Sequence, residues 1–278
     1  MQIYLIITNG MKLKKPVILF ILTFMTTTMI VAQTNTQQIH VVLLGDSNTW
    51  LGGDNCDKDK GWSKWFNDKF KSSSCRSYAR SGATWTNTLR TRYNTEEDIG
   101  LIGDDNVIYN QVNRLIEDTK KGSLLAPNLL IIAAGTNDAW FEAKRPHAFS
   151  TTPLDDLPAD SLLSLPISDI LTLRQSVRYS GLQIRQAFPE TNIVLLTPLQ
   201  STAVDDNKIR QAGDIIEQCG EELGLFVIRQ DEVCCVKSRQ ERLKKTNTYD
   251  GTHTNAIGAK KNGYLIAKLL NEFLLMDK

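Results

Sequence analysis

The chain has 278 residues, of which 41% are hydrophobic, 23% charged and 8% aromatic. That is ordinary globular composition, with ample length for a buried core. Lys and Arg number 32 against 31 Asp and Glu, a balance that gives no reason to expect a nucleic-acid partner, and a single long apolar stretch excludes a polytopic membrane protein.

That stretch comes first. Lys12, Lys14 and Lys15 precede an apolar run from Pro16 to Met25, then Thr26-Thr27-Thr28, then Met29 to Ala32 before Gln33. A basic segment, a short apolar segment and a small residue read as a secretory signal peptide over 1–32, with Met11 the expected true start. The competing reading is a membrane anchor, but the threonines shorten the apolar core below the roughly 20 residues a span needs. No Cys lies near the cleavage point, so a lipoprotein anchor has no support. Residues 33–278 are then expected to form a single domain, exported to the periplasm or beyond, without stable membrane insertion. Losing three Lys and no acid takes the net charge from +1 to −2.

Ile39–Leu44 is an apolar, β-branched run ending at Gly45, as in a strand buried on both faces. Gly61–Phe70 carries a helical stripe at 62, 65, 66 and 70. Arg76–Ala79 is a weaker strand, and Val107–Lys120 is helical. Leu129–Ala134 is a second strong strand. Residues 139–172 form an irregular insertion with Pro146, Pro153, Pro158 and Pro166; long loops of this kind are often functional. Leu173–Phe188 is helical, Asn192–Thr197 is a third strong strand, and Ala203–Leu223 is helical. Leu225–Ile228 is a short strand, and Ala256–Leu275 a long terminal helix. Strands alternating with helices imply an α/β fold, a three-layer α/β/α sandwich on a parallel five-stranded sheet of flavodoxin-like order 2-1-3-4-5. Such sheets place their sites at the carboxyl ends of the strands.

Three strand ends and one helix start carry candidate chemistry. The first strand runs into Gly45-Asp46-Ser47-Asn48, where a hydroxyl reaches the cleft; Gly-Asp-Ser is also plain turn chemistry. Tyr78-Ala79-Arg80-Ser81-Gly82 follows the second strand, and its Gly lets a backbone N–H approach closely. Ala134-Gly135-Thr136-Asn137-Asp138 offers an amide to a developing oxyanion, or an Asx turn. Asp250-Gly251-Thr252-His253-Thr254-Asn255 precedes the last helix. There Asp250 can hold one imidazole nitrogen and free the other for a nucleophile, although Thr254 or Asn255 would equally serve as a helix cap. With His40 in a strand and His147 in the insertion, a base for Ser47 is almost forced to be His253.

In this order the four motifs resemble the SGNH hydrolases, also called the GDSL esterase/lipase family, across roughly residues 39–275. The resemblance implies ester hydrolysis through an acyl-enzyme, with Ser47 as nucleophile and His253 as base, oriented by Asp250. The implied oxyanion hole is the Ser47 N–H, the Gly82 N–H and the Asn137 side chain. Asn48 stands where the family name implies Leu. Asp46 is expected to support the serine turn, and Asp138 the asparagine loop. No metal or organic cofactor is needed.

Trp50, Gly52, Gly53, Trp85, Trp140 and Phe141 follow the strand ends that build the site. Aromatics there can stack on sugars, although buried Trp is more often core. Together with the export segment they favour a small acyl ester, acetyl or similar, on a glycan. A lipase or thioesterase, an acyltransferase using the same three residues, and a non-catalytic glycan-binding module are the alternatives. All five Cys lie in the exported part, so at least one is unpaired within the chain. None has metal-site spacing with His. The topology places Cys75 and Cys219 at the far end of the sheet and Cys56 and Cys234 at the site end, which disfavours Cys56–Cys75 and Cys219–Cys234 bridges.

Overall fold

The structure is a computed structural model, and it describes residues 38–97 and 106–276. The expected signal segment lies outside the described residues. In chain order the elements are β1 (His40–Gly45), α1 (Ser47–Trp50), α2 (Trp62–Phe70), β2 (Ser74–Ser77), α3 (Ile108–Lys120), β3 (Leu129–Ala133) and α4 (Thr136–Trp140). There follow α5 (Ala159–Leu163), α6 (Leu173–Ala187), β4 (Asn192–Leu196), α7 (Asp206–Leu223), β5 (Phe226–Ile228), α8 (Gln230–Val233), α9 (Ser238–Leu243) and α10 (Ala256–Met276). The sheet is parallel throughout, in the order β2-β1-β3-β4-β5, which is the expected flavodoxin-like order.

Side chains alternate across a strand, and here both faces are apolar because both are covered. Val42, Leu44, Leu130, Ile132 and Leu195 pack against Val112, Leu115, Val177, Ala212 and Ile216 from α3, α6 and α7. Val41, Leu43, Leu129, Ile131 and Val194 face the other way, onto Trp62 and Phe66 of α2 and Ile266 and Leu270 of α10. The continuous apolar runs of β1, β3 and β4 are the sequence trace of this double burial.

The weak second strand begins two residues earlier than Arg76 and ends at Ser77. Its register pairs His40 with Ser74 and Leu43 with Ser77. As an edge strand of sequence Ser-Cys-Arg-Ser, it lacks the apolar pattern that marks the others. The seventh helix starts at Asp206 rather than Ala203, because the Asp205 side chain caps it by accepting from the Asn207 N–H.

The 139–172 insertion is ordered by one buried carboxylate. Asp155 accepts from the Thr152 N–H at 2.9 Å, the Thr172 hydroxyl at 2.9 Å and the Gln175 amide at 2.7 Å. Thr172 in turn caps α6 in a capping box with Gln175. The insertion is therefore pinned to the sandwich by polar bonds that no hydrophobic period reveals.

Candidate active site

β1 delivers the chain to the carboxyl edge of the sheet and turns it sharply. Gly45 has φ +155°, and a Cβ there would lie 2.4 Å from the Ala133 carbonyl oxygen, so only glycine lets β1 and β3 close at this point. Both backbone groups of Gly45 are held by Gln111 on α3: its N–H donates to Oε1 at 2.8 Å, and its carbonyl accepts from Nε2 at 2.9 Å. Ser47 follows as the first residue of α1. Asp46 caps that helix, accepting from the Asn48 N–H at 3.0 Å.

Ser47 lies 206 residues from His253 in sequence, yet its Oγ is 2.9 Å from His253 Nε2. On the other side of the ring, Nδ1 is 2.6 Å from Asp250 Oδ2. An ionised Asp250 takes the Nδ1–H, which leaves the Nε2 lone pair facing the Ser47 hydroxyl. Asp250 Oδ1 accepts from the Thr252 and His253 N–H groups at 2.9 and 2.7 Å. Partial burial pushes the Asp250 carboxyl up, but the bonds from the His253 ring and the two backbone amides outweigh it and hold it below the usual range. Asn255 Oδ1 accepts from the Ile257 and Gly258 N–H groups. The segment is thus both a helix cap and a histidine-orienting turn.

Asn48 stitches the serine and histidine segments together. Its Nδ2 donates to the Thr252 carbonyl at 3.3 Å, and its Oδ1 accepts from the Thr254 N–H at 3.1 Å. A leucine at this position could do neither.

Asn137 is hydrogen-bonded to the residue that follows Gly82. Gly82 has φ +77°, a conformation other residues adopt at a cost. Asn137 Nδ2 donates to the Ala83 carbonyl at 2.9 Å, which fixes one amide hydrogen and leaves its second to point elsewhere. Asp138 is fully buried and ties the same two segments, accepting from the Trp85 N–H, the Thr86 N–H and the Thr86 hydroxyl at 3.0, 2.9 and 2.7 Å. Among the described residues, no group accepts from the backbone N–H of Ser47 or of Gly82. The site therefore offers an activated hydroxyl beside N–H donors, a combination suited to acyl transfer.

Asp46 is the one strongly perturbed carboxyl here. It is 4% exposed, and burial raises it from 3.8 to about 6 against the opposing Asn48 N–H, His253 and Thr136.

The GDSL-like lipase/acylhydrolase family model matches residues 43–261, spanning all four motifs. The chain belongs to this family. Members hydrolyse ester bonds. No curated protein matches the sequence. Among solved structures, a candidate lipase from Chitinophaga pinensis is similar at TM-score 0.57 and 14% identity, covering 86% of this chain and 100% of its own. A candidate GDSL-like lipase from Bacteroides ovatus gives 0.53 and 16%, covering 84% and 99%, and an acetyl xylan esterase gives 0.50 and 16%, covering 84% and 98%. At these identities the likeness concerns the fold.

Within this family framework the expected residues separate. Ser47, Gly82, Asn137, Asp250 and His253 lie at one edge of the sheet, with Asp46, Asn48 and Asp138 bracing them. Trp85 is 1% exposed and belongs to the core, so it offers no sugar platform. Trp50 is half-buried. Trp140 is 41% exposed and stacked on Phe141, with ring centroids 5.9 Å apart. Sequence reasoning missed Gln111, which no spacing links to Gly45. It also missed Tyr249, whose ring stacks on His253 at 5.6 Å. Among the described residues no group of His, Cys, Asp and Glu could hold a metal ion.

The expected separation of Cys56 from Cys75 is overturned: the two are neighbours, with sulfurs 2.7 Å apart. The loop after α1 does not stay at the site edge. It folds back along the open side of β2, where the Ser77 N–H donates to the Asp54 carbonyl at 2.8 Å and Arg76 reaches Asn55 Oδ1 at 2.9 Å.

Proposed function

We propose that the chain is an exported serine esterase that removes small acyl groups, acetyl or similar, from glycans through an acyl-enzyme. The observation that carries the esterase reading is the continuous Ser47–His253–Asp250 hydrogen-bond line, at 2.9 and 2.6 Å. The glycan part rests on the export segment and on Trp140, which is exposed. Among the described residues no helix is long and apolar enough to cross a membrane.

The chemistry follows from the positions. A serine hydroxyl is too weakly acidic to attack unaided. His253 Nε2 takes its proton as Oγ bonds to the ester carbon, and Asp250 stabilises the imidazolium formed. The carbonyl oxygen becomes an oxyanion, held by the N–H groups of Ser47 and Gly82 and by the second amide hydrogen of Asn137. Collapse breaks the bond to the alcohol oxygen, which leaves with the proton from His253. Water then repeats the attack on the acyl-Ser47 ester, again giving its proton to His253. The carboxylic acid departs, and Ser47 recovers its proton.

The test is turnover of 4-nitrophenyl acetate, of longer acyl esters and of acetylated polysaccharides. Ser47→Ala and His253→Ala should lose nearly all activity, and about equally, because the members act as a unit. Near wild-type cleavage by Ser47→Ala would show that the nucleophile is misassigned. If the native protein binds a glycan but cleaves no ester, a binding module becomes the better reading.

A further inference from the structure

A cleft of about 530 Å³ is lined by the segments that run on from Gly82 and from Asn137. It does not include Ser47, but each of these two walls begins within five residues of a candidate oxyanion donor. One wall begins at Phe141, whose N–H donates to the Asn137 carbonyl at 2.8 Å, one helical turn or roughly 6 Å along the axis from Asn137. The other begins at Asn87, next to Thr86, which is bonded to Asp138. Both walls are fixed: the Asn87 amide donates to the Ile170 carbonyl at 3.0 Å, and the Leu173 N–H to the Ala148 carbonyl at 2.8 Å.

The lining is one-sided in charge. Arg90, Lys144 and Arg145 line the cleft together with His147, which can add charge only when protonated, and no acidic side chain is among the described lining residues. Arg145 is buried and has partners of its own. Arg90, Lys144 and His147 are exposed, and no described carboxylate forms an ion pair with any of them. Lys144 sits over the Phe141 ring, 5.5 Å from its centroid, so its ammonium is held at the mouth rather than sweeping through solvent. Arg229, by contrast, is neutralised by Asp214, Glu217 and Asp231. Cations left facing one concavity from two segments make a local positive field, which low-dielectric walls concentrate.

We propose that this cleft is a subsite for an anionic sugar, and that the substrate is an acylated glycan carrying carboxylate or sulfate groups about one residue from the ester. This rests on the esterase reading of Ser47 and adds the substrate's charge to it. It also gives the 139–172 insertion a purpose, since that segment supplies Phe141, Lys144 and His147.

Binding is measured on Ser47→Ala protein, so that catalysis does not enter. The probes are an oligogalacturonate, the same oligomer with its carboxylates methyl-esterified, and a sulfated neutral oligosaccharide beside its unsulfated parent. The expected result is that a charged oligomer binds at least about tenfold more tightly than its neutral counterpart, and that added salt erodes the difference. The charged arm that binds identifies carboxylate or sulfate. Adding Arg90→Gln or Lys144→Gln should weaken binding about two- to fivefold each, the range for exposed charge contacts, with melting temperature unchanged. Equal affinity for charged and neutral oligomers, or no effect of either substitution, overturns the subsite. Failure of the wild-type protein to cleave any ester overturns the esterase reading instead, and the binding comparison still decides the cleft.

Discussion

Asp46→Asn separates the cost of the site from its benefit. Asp46 sits at the N-terminus of α1, one residue from Ser47, and is almost wholly buried. Burial raises its carboxyl from 3.8 to about 6. The folded state therefore holds the Asp46 proton more tightly than the unfolded chain does. Between those two values the native state binds more protons, so stability falls as pH rises through the window, and the full penalty persists above it. A shift of about two pH units corresponds to ~3 kcal/mol at neutral pH. Asn is neutral at every pH and keeps an oxygen to accept from the Asn48 N–H. How well its extra amide hydrogens fit is a constant that does not change with pH. The prediction is thus a difference: relative to wild type, Asp46→Asn should be about 2–3 kcal/mol more favourable at pH 8 than at pH 4. Urea unfolding of both proteins at both pH values measures it, with the m-values checked for equality. For a domain this size the relative shift is several degrees in Tm. A relative stability that does not change with pH would refute the argument. Activity should move the other way. The ionised Asp46 interacts favourably with the positive charge that His253 acquires on the way to the oxyanion, so the more stable variant should be the slower one.

The remaining predictions concern the donors, the orienting acid and the sulfurs. Asn137→Ala should lower kcat by about 10²–10³ with little change in KM, because the oxyanion forms only along the path to the transition state; an effect confined to KM would contradict that. Asp250→Ala should retain measurable turnover, since His253 still samples the required tautomer, whereas loss as complete as in Ser47→Ala would give Asp250 a larger part. kcat/KM in the wild type should show an acid limb only, because an imidazolium cannot accept the serine proton and a protonated Asp46 no longer supports its charge, and a basic limb as well would require another group. Under oxidising conditions Cys56 and Cys75 should join. A non-reduced digest would then contain their linked peptides, and titration of the denatured protein would find three free thiols; finding five would refute it.

What could be read from the sequence follows from how local the signal is. β1, β3 and β4 were legible because burial on both faces demands unbroken apolar runs, and β2 was misplaced because an edge strand carries no such demand. Ser47, Asn137 and His253 were legible because parallel topology sends every strand end to one edge, so motifs 90 and 116 residues apart must meet. Asn48 and Gln111 were not legible in their roles. Each makes two hydrogen bonds to a segment distant in sequence, and a polar side chain in a loop or on a helix looks the same whether or not a partner waits for it. The cysteines show where topology itself misleads. Position relative to a strand end fixes where a loop begins but not where it goes. The loop after α1 has an unpaired strand edge beside it, and an open edge attracts backbone donors and acceptors. Asp54 takes that place through Ser77 and carries Cys56 down to Cys75. The edge that made β2 hard to read is therefore also what anchors the segment leaving Ser47. A bridge between the two sulfurs would lock that anchor, restraining the first turn after the nucleophile from the far end of its own loop.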